Sequence, residues 1–466
     1  MPDRPNILLL FTDDQRFDTV HALGNGRIST PNMDRLVARG TAFTHAHIPC
    51  GTSGAVCMPS RAMLHTGRTL FHLQGAGETI PPKHTTLGEC LRAAGYRTFG
   101  TGKWHNGPAS YHRSFTDGDE IFFGGMADHW NVPVYRFDPS GKYDATCPIV
   151  DNPMASNEVR LRRCDHIQAG KHSSELLADA AVRFIEGYQD TAPVFAYVSF
   201  LAPHDPRTMP REYLGMYDPA DIELPPNYME AHPFDNGELW VRDELLAAFP
   251  RTPDEVRRHI AEYYAMISHV DAQIGRVLQA LETGGMLQDT IIVFAGDNGL
   301  ALGQHGLMGK QNCYDHSVRV PLVFAGPGVP AGVSTDARAY LLDIFATLCE
   351  LVDAPRPDSV EGQSLVKAMG DPAEKVRDTL YLAYVGKHRA VTDGRHKLIE
   401  YVVDGERSMT QLFDLHDDPW ELHNLAPEPA HADKVSQLRA EMLRYRDEWD
   451  DRQTEWGKTF WGACEF

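Results

Sequence analysis

Two pairs of oxygen-bearing side chains follow two apolar segments of the sequence. The pairs are Asp13 with Asp14, after the run 6–11, and Asp297 with Asn298, after the run 290–295. Four such side chains brought together would bind a hard divalent cation such as Ca²⁺ or Mg²⁺. Acids after strands also cap turns and helices, so either pair alone is ambiguous. The presence of both pairs favours a metal site.

A second group of side chains could bind an anion and move protons. Its members are Arg61, Lys103, His105, His204 and Lys310. Each alone is typical of a surface or capping position, but together they would place several cations and two proton carriers around the metal. That grouping suits an ester of a multi-oxygen anion, either sulfate or phosphate. Cys57, four residues before Arg61, is by spacing alone more typical of a small buried residue than of a nucleophile.

Composition excludes several classes of function. The chain has 466 residues, 42% of them hydrophobic and 23% charged, and a formal net charge of −20 at pH 7. These values are typical of a globular protein with a large core. A surface this acidic is a poor partner for nucleic acid or an anionic membrane. The first apolar run is too short for a signal peptide or a spanning helix, and eight scattered cysteines form no C-x-x-C pair. We therefore expect a cytoplasmic protein, unless a leader was removed.

The elements that must position these residues alternate along most of the chain. Apolar, strand-like runs cover 6–11, 96–100, 194–200, 290–295 and 318–325, and helical patterns lie between them. This order predicts an α/β fold, with a large, mostly parallel sheet flanked by helices on both faces. Ligands of such sheets bind beyond the carboxyl ends of the strands, where the acidic and histidine motifs lie.

The pattern changes after about residue 375. Short alternating segments separated by Gly and Asp turns precede a helical stretch at 433–449. They predict a small antiparallel sheet with a helix, so we divide the chain into a catalytic domain, 1–375, and a C-terminal subdomain, 376–466. Residues 205–250 show no clear period and are interpreted as a long loop excursion.

The motifs resemble those of type I sulfatases, the formylglycine-dependent branch of the alkaline phosphatase superfamily. Cys57-x-Pro59-Ser60-Arg61, continuing to Thr66-Gly67-Arg68, resembles their first signature, and the stretch 95–105 resembles the second. Other matching motifs follow in family order: Asp13-Asp14-Gln15, Pro203-His204, Gly296-Asp297-Asn298-Gly299, the stretch 305–310, and Phe413-Asp414-Leu415 through Asn424-Leu425. Met58 and His65 depart from the usual residues of the first signature.

The resemblance implies a modified nucleophile and one metal ion. A separate formylglycine-generating enzyme would oxidise Cys57 to an aldehyde, which hydrates to a gem-diol. One hydroxyl would attack sulfur and release the alcohol, and the second would let the intermediate collapse and expel sulfate. The implied ligands of a single Ca²⁺ are the modified Cys57, Asp13, Asp14, Asp297 and Asn298.

The resemblance also implies roles for the cations and histidines. Arg61, Lys103 and Lys310 would steady the nucleophile and the sulfate oxygens. His105 would serve the collapse step, and His204 would protonate or hydrogen-bond the leaving oxygen. For His305, a substrate contact and a structural role stay open.

We therefore predict a sulfatase that hydrolyses a sulfate monoester, with a sulfated carbohydrate as the preferred substrate class. Candidate residues for a sugar pocket are Arg113, Asp128, His129, Trp130 and His172, and the interpretation that they are ordinary loop residues stays equally open. One alternative is a phosphonate monoester or phosphodiester hydrolase of the same superfamily, in which a His tends to stand at the position of Asn298. Another is a non-catalytic binder of sulfated ligands with unmodified Cys57. The expected partners are the sulfated substrate and the maturation enzyme, and a homo-oligomer stays open.

Overall fold

The computed structural model describes residues 4–73, 77–464 and 466. Its strands in chain order are β1 (Asn6–Asp13), β2 (Gly40–Phe43), β3 (Ala46–His47), β4 (Cys50–Gly51), β5 (Arg97–Lys103), β6 (Asp117–Phe122), β7 (Pro133–Val134), β8 (Thr146–Ile149), β9 (Arg160–Arg163), β10 (His166–Ile167), β11 (Val194–Pro203), β12 (Thr290–Gly296), β13 (Leu322–Ala325), β14 (Val333–Thr335), β15 (Ala339–Tyr340), β16 (Leu380–Tyr384), β17 (His388–Thr392), β18 (His396–Val403) and β19 (Glu406–Asp414).

The α-helices lie between these strands and after the last one. They are α1 (Pro31–Arg39), α2 (Cys57–Thr66), α3 (Leu87–Ala93), α4 (Pro108–Ser114), α5 (Ser173–Gly187), α6 (Arg211–Leu214), α7 (Pro253–Thr283), α8 (Asp315–Val318), α9 (Asp343–Leu351), α10 (Val366–Gly370), α11 (Ala432–Glu448) and α12 (Glu455–Ala463). In the part of the chain described, no helix is both long and apolar enough to cross a membrane.

An eight-stranded sheet in the order β14-β2-β13-β12-β1-β11-β5-β6 forms the centre of the molecule. β1 lies between β11 and β12 and is parallel to both. β5 and β6 continue the parallel arrangement, whereas β13 is antiparallel to both of its neighbours. The predicted α/β fold with a mostly parallel sheet is confirmed.

The side chains of β1 show how helices cover both faces of this sheet. Successive side chains of a strand point to opposite faces. Ile7, Leu9 and Phe11 therefore pack into one apolar core, together with α2, α3 and α9. Leu8 and Leu10 pack into a second core with α1, α5 and α7. A strand covered on both faces is apolar at every position, which explains the unbroken run that follows Asn6.

Four strands of the sheet differ from the prediction, which included neither β6 nor β14. The run 318–325 is only in part a strand, because Val318 ends the short helix α8 and β13 begins at Leu322. β2 was not predicted, since its four residues, Gly40–Phe43, follow α1 without a turn and carry only one large apolar side chain. A capping box begins α3: the Thr86 side chain accepts a hydrogen bond from the backbone N–H of Glu89, and the Glu89 side chain accepts one from the backbone N–H of Thr86.

The C-terminal part contains the predicted antiparallel sheet, with α11 following it. The strand order is β19-β18-β17-β16-β4. The last of these, β4, comes from the N-terminal part and pairs in parallel with β16, Cys50 opposite Ala383. The C-terminal sheet therefore holds the segment that leads into α2. A domain division at residue 375 stays a prediction, and backbone hydrogen bonds cross it.

Candidate active site

The carboxyl ends of four adjacent strands form the site. Asp13 is the last residue of β1, and Asp297 directly follows β12. Lys103 ends β5, and His204 follows β11. All four side chains are buried. The parallel strands thus bring four separate sequence motifs to one edge of the sheet, as the prediction from the strand ends required.

The acidic side chains form one cluster in which each orients another. Asp297 Oδ1 accepts a hydrogen bond from the backbone N–H of Asp14 at 2.9 Å, and Asn298 Nδ2 donates to Asp14 Oδ1 at 2.7 Å. Asp14 has φ of 66°, in the left-handed region. The strained turn at Asp14 and the two hydrogen bonds gather the predicted metal ligands.

Two buried oxygen atoms of this cluster indicate what it lacks. Asp13 Oδ1 and Asn298 Oδ1 have no hydrogen-bond partner among the described residues. A buried acceptor without a partner costs about 1–3 kcal/mol, which a bound cation would offset. Ligand atoms of Asp13, Asp14 and His204 lie within 4.8 Å of one another, and so do those of Asp13, Cys57 and Asp297. This oxygen-rich set fits a hard divalent cation such as Ca²⁺.

Three cations balance the three carboxylates. Lys103 Nζ donates to Asp13 Oδ2, Lys310 Nζ donates to Asp14 Oδ1, and Arg61 pairs with Asp297 Oδ2. Burial would raise the pKa of Asp13, but the charges of Lys103, His204 and Arg61 together outweigh that effect and lower it. A divalent cation would therefore add a net positive charge, which suits an anionic ester.

Cys57 lies at the centre of these groups, at the first turn of α2. Its Sγ is 3.4 Å from Lys103 Nζ and 3.5 Å from His105 Nδ1. Burial raises the pKa of the Cys57 thiol, although the charges of Lys103 and Lys310 oppose that shift. At neutral pH the unmodified side chain is therefore a protonated thiol, which is a poor nucleophile.

Arg61 lies one helical turn after Cys57 on the same face of α2. It is fully buried, and its guanidinium donates to Asp297 Oδ2 at 3.0 Å, Lys103 O at 2.9 Å and Ser199 Oγ at 2.6 Å. The structure thus places Arg61 behind Cys57, as a brace for Asp297. Sequence reasoning missed Ser199, although two-residue alternation along β11 turns it to the same face as Tyr197, which also contacts Arg61.

The two site histidines differ in their partners. Burial and the charge of Lys103 lower the pKa of His105 to about 2, so its ring is neutral. His204 Nδ1 donates to the backbone carbonyl of Asp205 at 2.8 Å, and its Nε2 lies 3.6 Å from Asp14 Oδ2. Because a carbonyl oxygen can only accept a hydrogen bond, Nδ1 of His204 carries a proton. Its Nε2 faces the cluster of acidic side chains.

The residues proposed for a sugar pocket make contacts within the fold and do not line the cavity next to Cys57, so a pocket role for them stays a prediction. Arg113 pairs with Glu89 at 2.8 Å, and the rings of His172 and His129 are held by hydrogen bonds within the fold. His129 Nε2 donates to the backbone carbonyl of His204 at 2.9 Å, so it supports the turn that carries His204. Asp128 accepts from the backbone N–H of Trp130, two residues along its own turn.

His305, for which two roles were open, occupies a structural position. Its ring stacks on Tyr314 with centroids 4.1 Å apart, and its Nε2 contacts Asn227 Nδ2 at 3.1 Å. Burial lowers the pKa of His305 to about 3, so the ring is neutral in this stack.

A cavity of about 280 Å³ opens above Cys57. Its inner end presents Cys57, His105, His204 and Lys310, four of the residues predicted for catalysis. Its outer wall consists of Gly54, Ala55, Gly125, Met126, Val241, Arg242, Asp243 and Gln311. Sequence reasoning missed this wall, because its residues belong to segments without a periodic pattern.

Fold and site together define a hydrolase of the alkaline phosphatase superfamily. The sequence profile of the sulfatase family matches residues 5–354, about three quarters of the chain. A profile of the C-terminal region of N-sulphoglucosamine sulphohydrolase matches residues 303–448. The chain therefore belongs to the sulfatase family and is a sulfuric ester hydrolase.

Individual relatives are similar over nearly their whole length. An arylsulfatase of Clostridium perfringens is 27% identical over 480 residues, covering 98% of each chain. An N-acetylglucosamine-6-O-sulfatase of Bacteroides thetaiotaomicron is 24% identical, covering 93% of this chain and 85% of the relative.

Two solved structures share the fold. One, in complex with its substrate D-glucosamine-2-N,6-O-disulfate, has a TM-score of 0.74 at 22% identity and covers 98% of this chain and 100% of its own. The phosphonate monoester hydrolase of Agrobacterium radiobacter also has a TM-score of 0.74, at 23% identity and 96% coverage of both chains. Identities this low establish the fold alone.

Proposed function

We propose that this protein hydrolyses a sulfate monoester with Cys57, oxidised to formylglycine by a formylglycine-generating enzyme, as its nucleophile. The observation that carries the proposal is the position of Cys57, at the closed end of the cavity between Lys103, His105 and Lys310. A buried thiol whose pKa is raised would attack sulfur poorly. The hydrated aldehyde supplies two hydroxyls, one for attack and one that allows sulfate to leave.

A Ca²⁺ ion held by Asp13, Asp14, Asp297, Asn298 and the modified residue 57 completes the proposed site. The two unpartnered oxygens and the three buried carboxylates support it. The ion would withdraw charge from the sulfate oxygens as a Lewis acid. Lys103 and Lys310 stay paired with carboxylates and keep the surrounding charge balanced.

His204 and His105 are assigned opposite proton transfers. His204 protonates the leaving oxygen from Nε2, since its Nδ1 is held by the Asp205 carbonyl. His105 is neutral, and its Nδ1 faces residue 57 at 3.5 Å, so it can accept a proton from the hydroxyl that remains there. Arg61 keeps Asp297 in place from behind.

The proposed substrate class is a sulfated carbohydrate. It is supported by the relative named an N-acetylglucosamine-6-O-sulfatase and by the related structure bound to a disulfated glucosamine. The alternative activity is that of the related phosphonate monoester hydrolase. Assaying a phosphonate monoester beside the sulfate ester distinguishes it from the proposed sulfatase activity.

Mass analysis of the protein combined with an activity assay tests the nucleophile. Trypsin releases residues 40–61, which contain both Cys50 and Cys57. We expect that peptide to have lost sulfur and gained an aldehyde at Cys57, in a preparation that hydrolyses 4-nitrophenyl sulfate. Cys57→Ser should stop after at most one turnover, because serine lacks the second hydroxyl.

Cys50→Ser is the matched control, since Cys50 lies in the same peptide and is equally buried but does not line the cavity. It should keep both the modification and the activity. Full activity in protein whose Cys57 is entirely thiol would refute the assignment. Binding of a sulfated ligand without turnover, in protein whose Cys57 stays an unmodified thiol, would instead indicate the non-catalytic binder.

A further inference from the structure

Lys310 lies in a loop that regular secondary structure does not hold in place. Between the end of β12 at Gly296 and the start of α8 at Asp315, the chain forms no helix and no strand beyond a single bridge at Gln304. Lys310 is only 3% exposed, so this loop runs inside the protein. A buried backbone N–H without a partner is costly, and in such a loop the partners must come from other segments. Those partners help to fix where the Lys310 ammonium lies.

Glu244 supplies two of these partners. Its Oε2 accepts a hydrogen bond from the backbone N–H of Met308 at 2.8 Å, and its Oε1 accepts one from the backbone N–H of Gly309 at 2.9 Å. One carboxylate thus bonds to the two residues directly before Lys310. The contact is close enough to require glycine, because a Cβ atom at Gly309 would lie 2.8 Å from Glu244 Oε1.

A buried arginine pairs with Glu244 and contacts the same loop. Arg251 Nη2 donates to Glu244 Oε2 at 2.7 Å, and Arg251 Nε donates to the backbone carbonyl of Gly306 at 3.1 Å. Glu244 is 3% exposed and Arg251 is fully buried. Hydrogen bonds between charged groups are stronger than neutral ones. The pair therefore holds the loop at three backbone positions, 306, 308 and 309.

The next residue of the loop reaches the site. Lys310 lines the cavity beside Cys57, and its Nζ donates to Asp14 Oδ1. Neither Glu244 nor Arg251 lines that cavity. Glu244 can therefore affect a bound ester only by changing the position of residues that do line it, and Lys310 directly follows the two residues that Glu244 holds.

We propose that Glu244 is a positioning residue that sets the place of the Lys310 ammonium beside Cys57 and the sulfate group. The inference rests on the proposed sulfatase activity and adds a residue to its site. Glu244 belongs to the aperiodic excursion 205–250, so that segment supports the site as well as forming part of the cavity wall. Without this carboxylate the loop would shift, and a displacement of about 1 Å in a site can cost about 100-fold in rate.

Glu244→Gln tests the proposal, because it keeps the size of the side chain but turns one acceptor oxygen into a donor. Whichever way the amide is turned, its NH2 group faces one of the two loop N–H groups. We expect kcat/KM for 4-nitrophenyl sulfate to fall about tenfold to 100-fold, at matched formylglycine content. The affinity for inorganic sulfate, measured by calorimetry, should fall as well.

A double-mutant cycle separates the positioning of Lys310 from a general loss of structure. Lys310→Met removes the ammonium that Glu244 is proposed to place. In that background Glu244→Gln should change kcat/KM by less than about twofold, because no ammonium is left to misplace. The same cycle can be measured on the affinity for inorganic sulfate, which requires no turnover.

Asp343→Asn is the matched control. Asp343 is also fully buried, accepts from two backbone N–H groups, those of Tyr340 and Gln363, and pairs with an arginine, Arg377. It does not line the cavity. This variant should lower the urea midpoint of unfolding much as Glu244→Gln does, but it should leave kcat/KM and sulfate affinity unchanged.

Three results would overturn the inference. They are an unchanged kcat/KM in Glu244→Gln, an equal loss of kcat/KM in Asp343→Asn, and a loss from Glu244→Gln that is as large in the Lys310→Met background as in the unmutated protein. Failure of the unmutated protein to hydrolyse the ester, in a preparation shown to carry formylglycine, would instead overturn the proposed function. The cycle on sulfate affinity would then still test whether Glu244 positions Lys310.

Discussion

At the scale of single residues, the same side-chain type serves different purposes according to its partners. His204 and His129 lie next to each other in the structure, and both have one ring nitrogen on a backbone carbonyl. Only His204 lines the cavity. Both residues have the same imidazole side chain, so His204 is the candidate acid because it can contact a bound ester.

Replacing His204 with alanine should affect substrates according to their leaving groups. A sugar alkoxide is a strong base and needs a proton as the S–O bond breaks, whereas nitrophenolate leaves readily. General acid catalysis is typically worth about 10²–10⁴-fold. We expect a loss of kcat/KM in that range for a carbohydrate sulfate and a much smaller loss for 4-nitrophenyl sulfate.

The control for this experiment is His129→Ala, which weakens support for the same turn without reaching the substrate. It should reduce both activities by similar factors. Equal losses for the two substrates in His204→Ala would show that His204 only braces the turn, and Lys310 would become the next candidate for the acid.

Metal binding can be measured without an assay of activity. In chelator-treated protein, Ca²⁺ should raise the stability of the folded state by about 2.7 kcal/mol at 100 times its dissociation constant. Asp297→Ala should remove most of that response, because it deletes a ligand and the nearer of the two carboxylates that pair with Arg61. Thermal unfolding with and without Ca²⁺ measures both effects.

Asp271→Asn, a buried acid of α7 outside the site, should keep the Ca²⁺ response. A response to zinc in place of calcium, or no response in active protein, would contradict the metal assignment.

At the scale of elements, a buried ion cluster connects the C-terminal sheet to the loop that carries Lys310. Lys397 of β18 is fully buried, and its Nζ donates to Asp315 of α8 and to Glu421 at 2.7 Å. Burial would lower the pKa of Lys397, but the charges of Asp315 and Glu421 outweigh that and raise it. The ammonium is thus charged and couples β18 to α8, which begins five residues after Lys310.

Lys397→Met should destabilise the protein by about 3–5 kcal/mol, because it leaves buried carboxylates without their cation. Urea unfolding measures the change in free energy. Lys434→Met, which removes a partly exposed lysine 3.2 Å from Asp393, should cost less than about 1 kcal/mol. Equal urea midpoints for the two variants would show that the buried ion cluster does not contribute more to stability than an exposed ion pair does.

At the scale of the whole molecule, many histidines are buried as neutral rings. Burial is the largest cause of the lowered pKa in each of them. The pKa falls to about 4 for His129, His232 and His269, to about 3 for His65, His259 and His305, and to about 2 for His105 and His172. The ring of His65 lies between Trp104 and Tyr197, with centroids at 4.3 and 4.8 Å.

These histidines predict the direction of the pH dependence. The pKa of histidine in an unfolded chain is about 6.5, so between about pH 4 and 6.5 the unfolded state binds more protons than the folded state. The free energy of unfolding should therefore be highest above pH 6.5 and fall as the solution becomes more acidic. Urea unfolding at successive pH values gives the number of linked protons from the slope.

His65→Leu should lower that slope by about one proton, since it removes one buried ring that stays neutral while its unfolded counterpart charges. His416→Leu, at a side chain that is 77% exposed, should leave the slope unchanged. A stability that is flat between pH 4.5 and 6.5 would contradict the prediction.

The sequence alone was sufficient for the four central strands β1, β5, β11 and β12 and for the meeting of the motifs at their ends. The run 6–11 is apolar at every position because β1 is covered on both faces, and that requirement is local and visible. The motifs at strand ends predicted that Asp13, Lys103, His204 and Asp297 would meet, because parallel strands end at one edge. Their roles in catalysis stay a proposal.

Only the tertiary structure decided the rest of the site. The wall residues Val241, Arg242 and Asp243 lie in the aperiodic excursion 205–250, where no repeat tells which side chains face inward. The pairing of β4 with β16, and of His129 with the His204 carbonyl, joins segments far apart in the chain. Periodicity reports the covered face of a regular element, whereas contacts between loops depend on the path of the whole backbone, which the folded chain alone specifies.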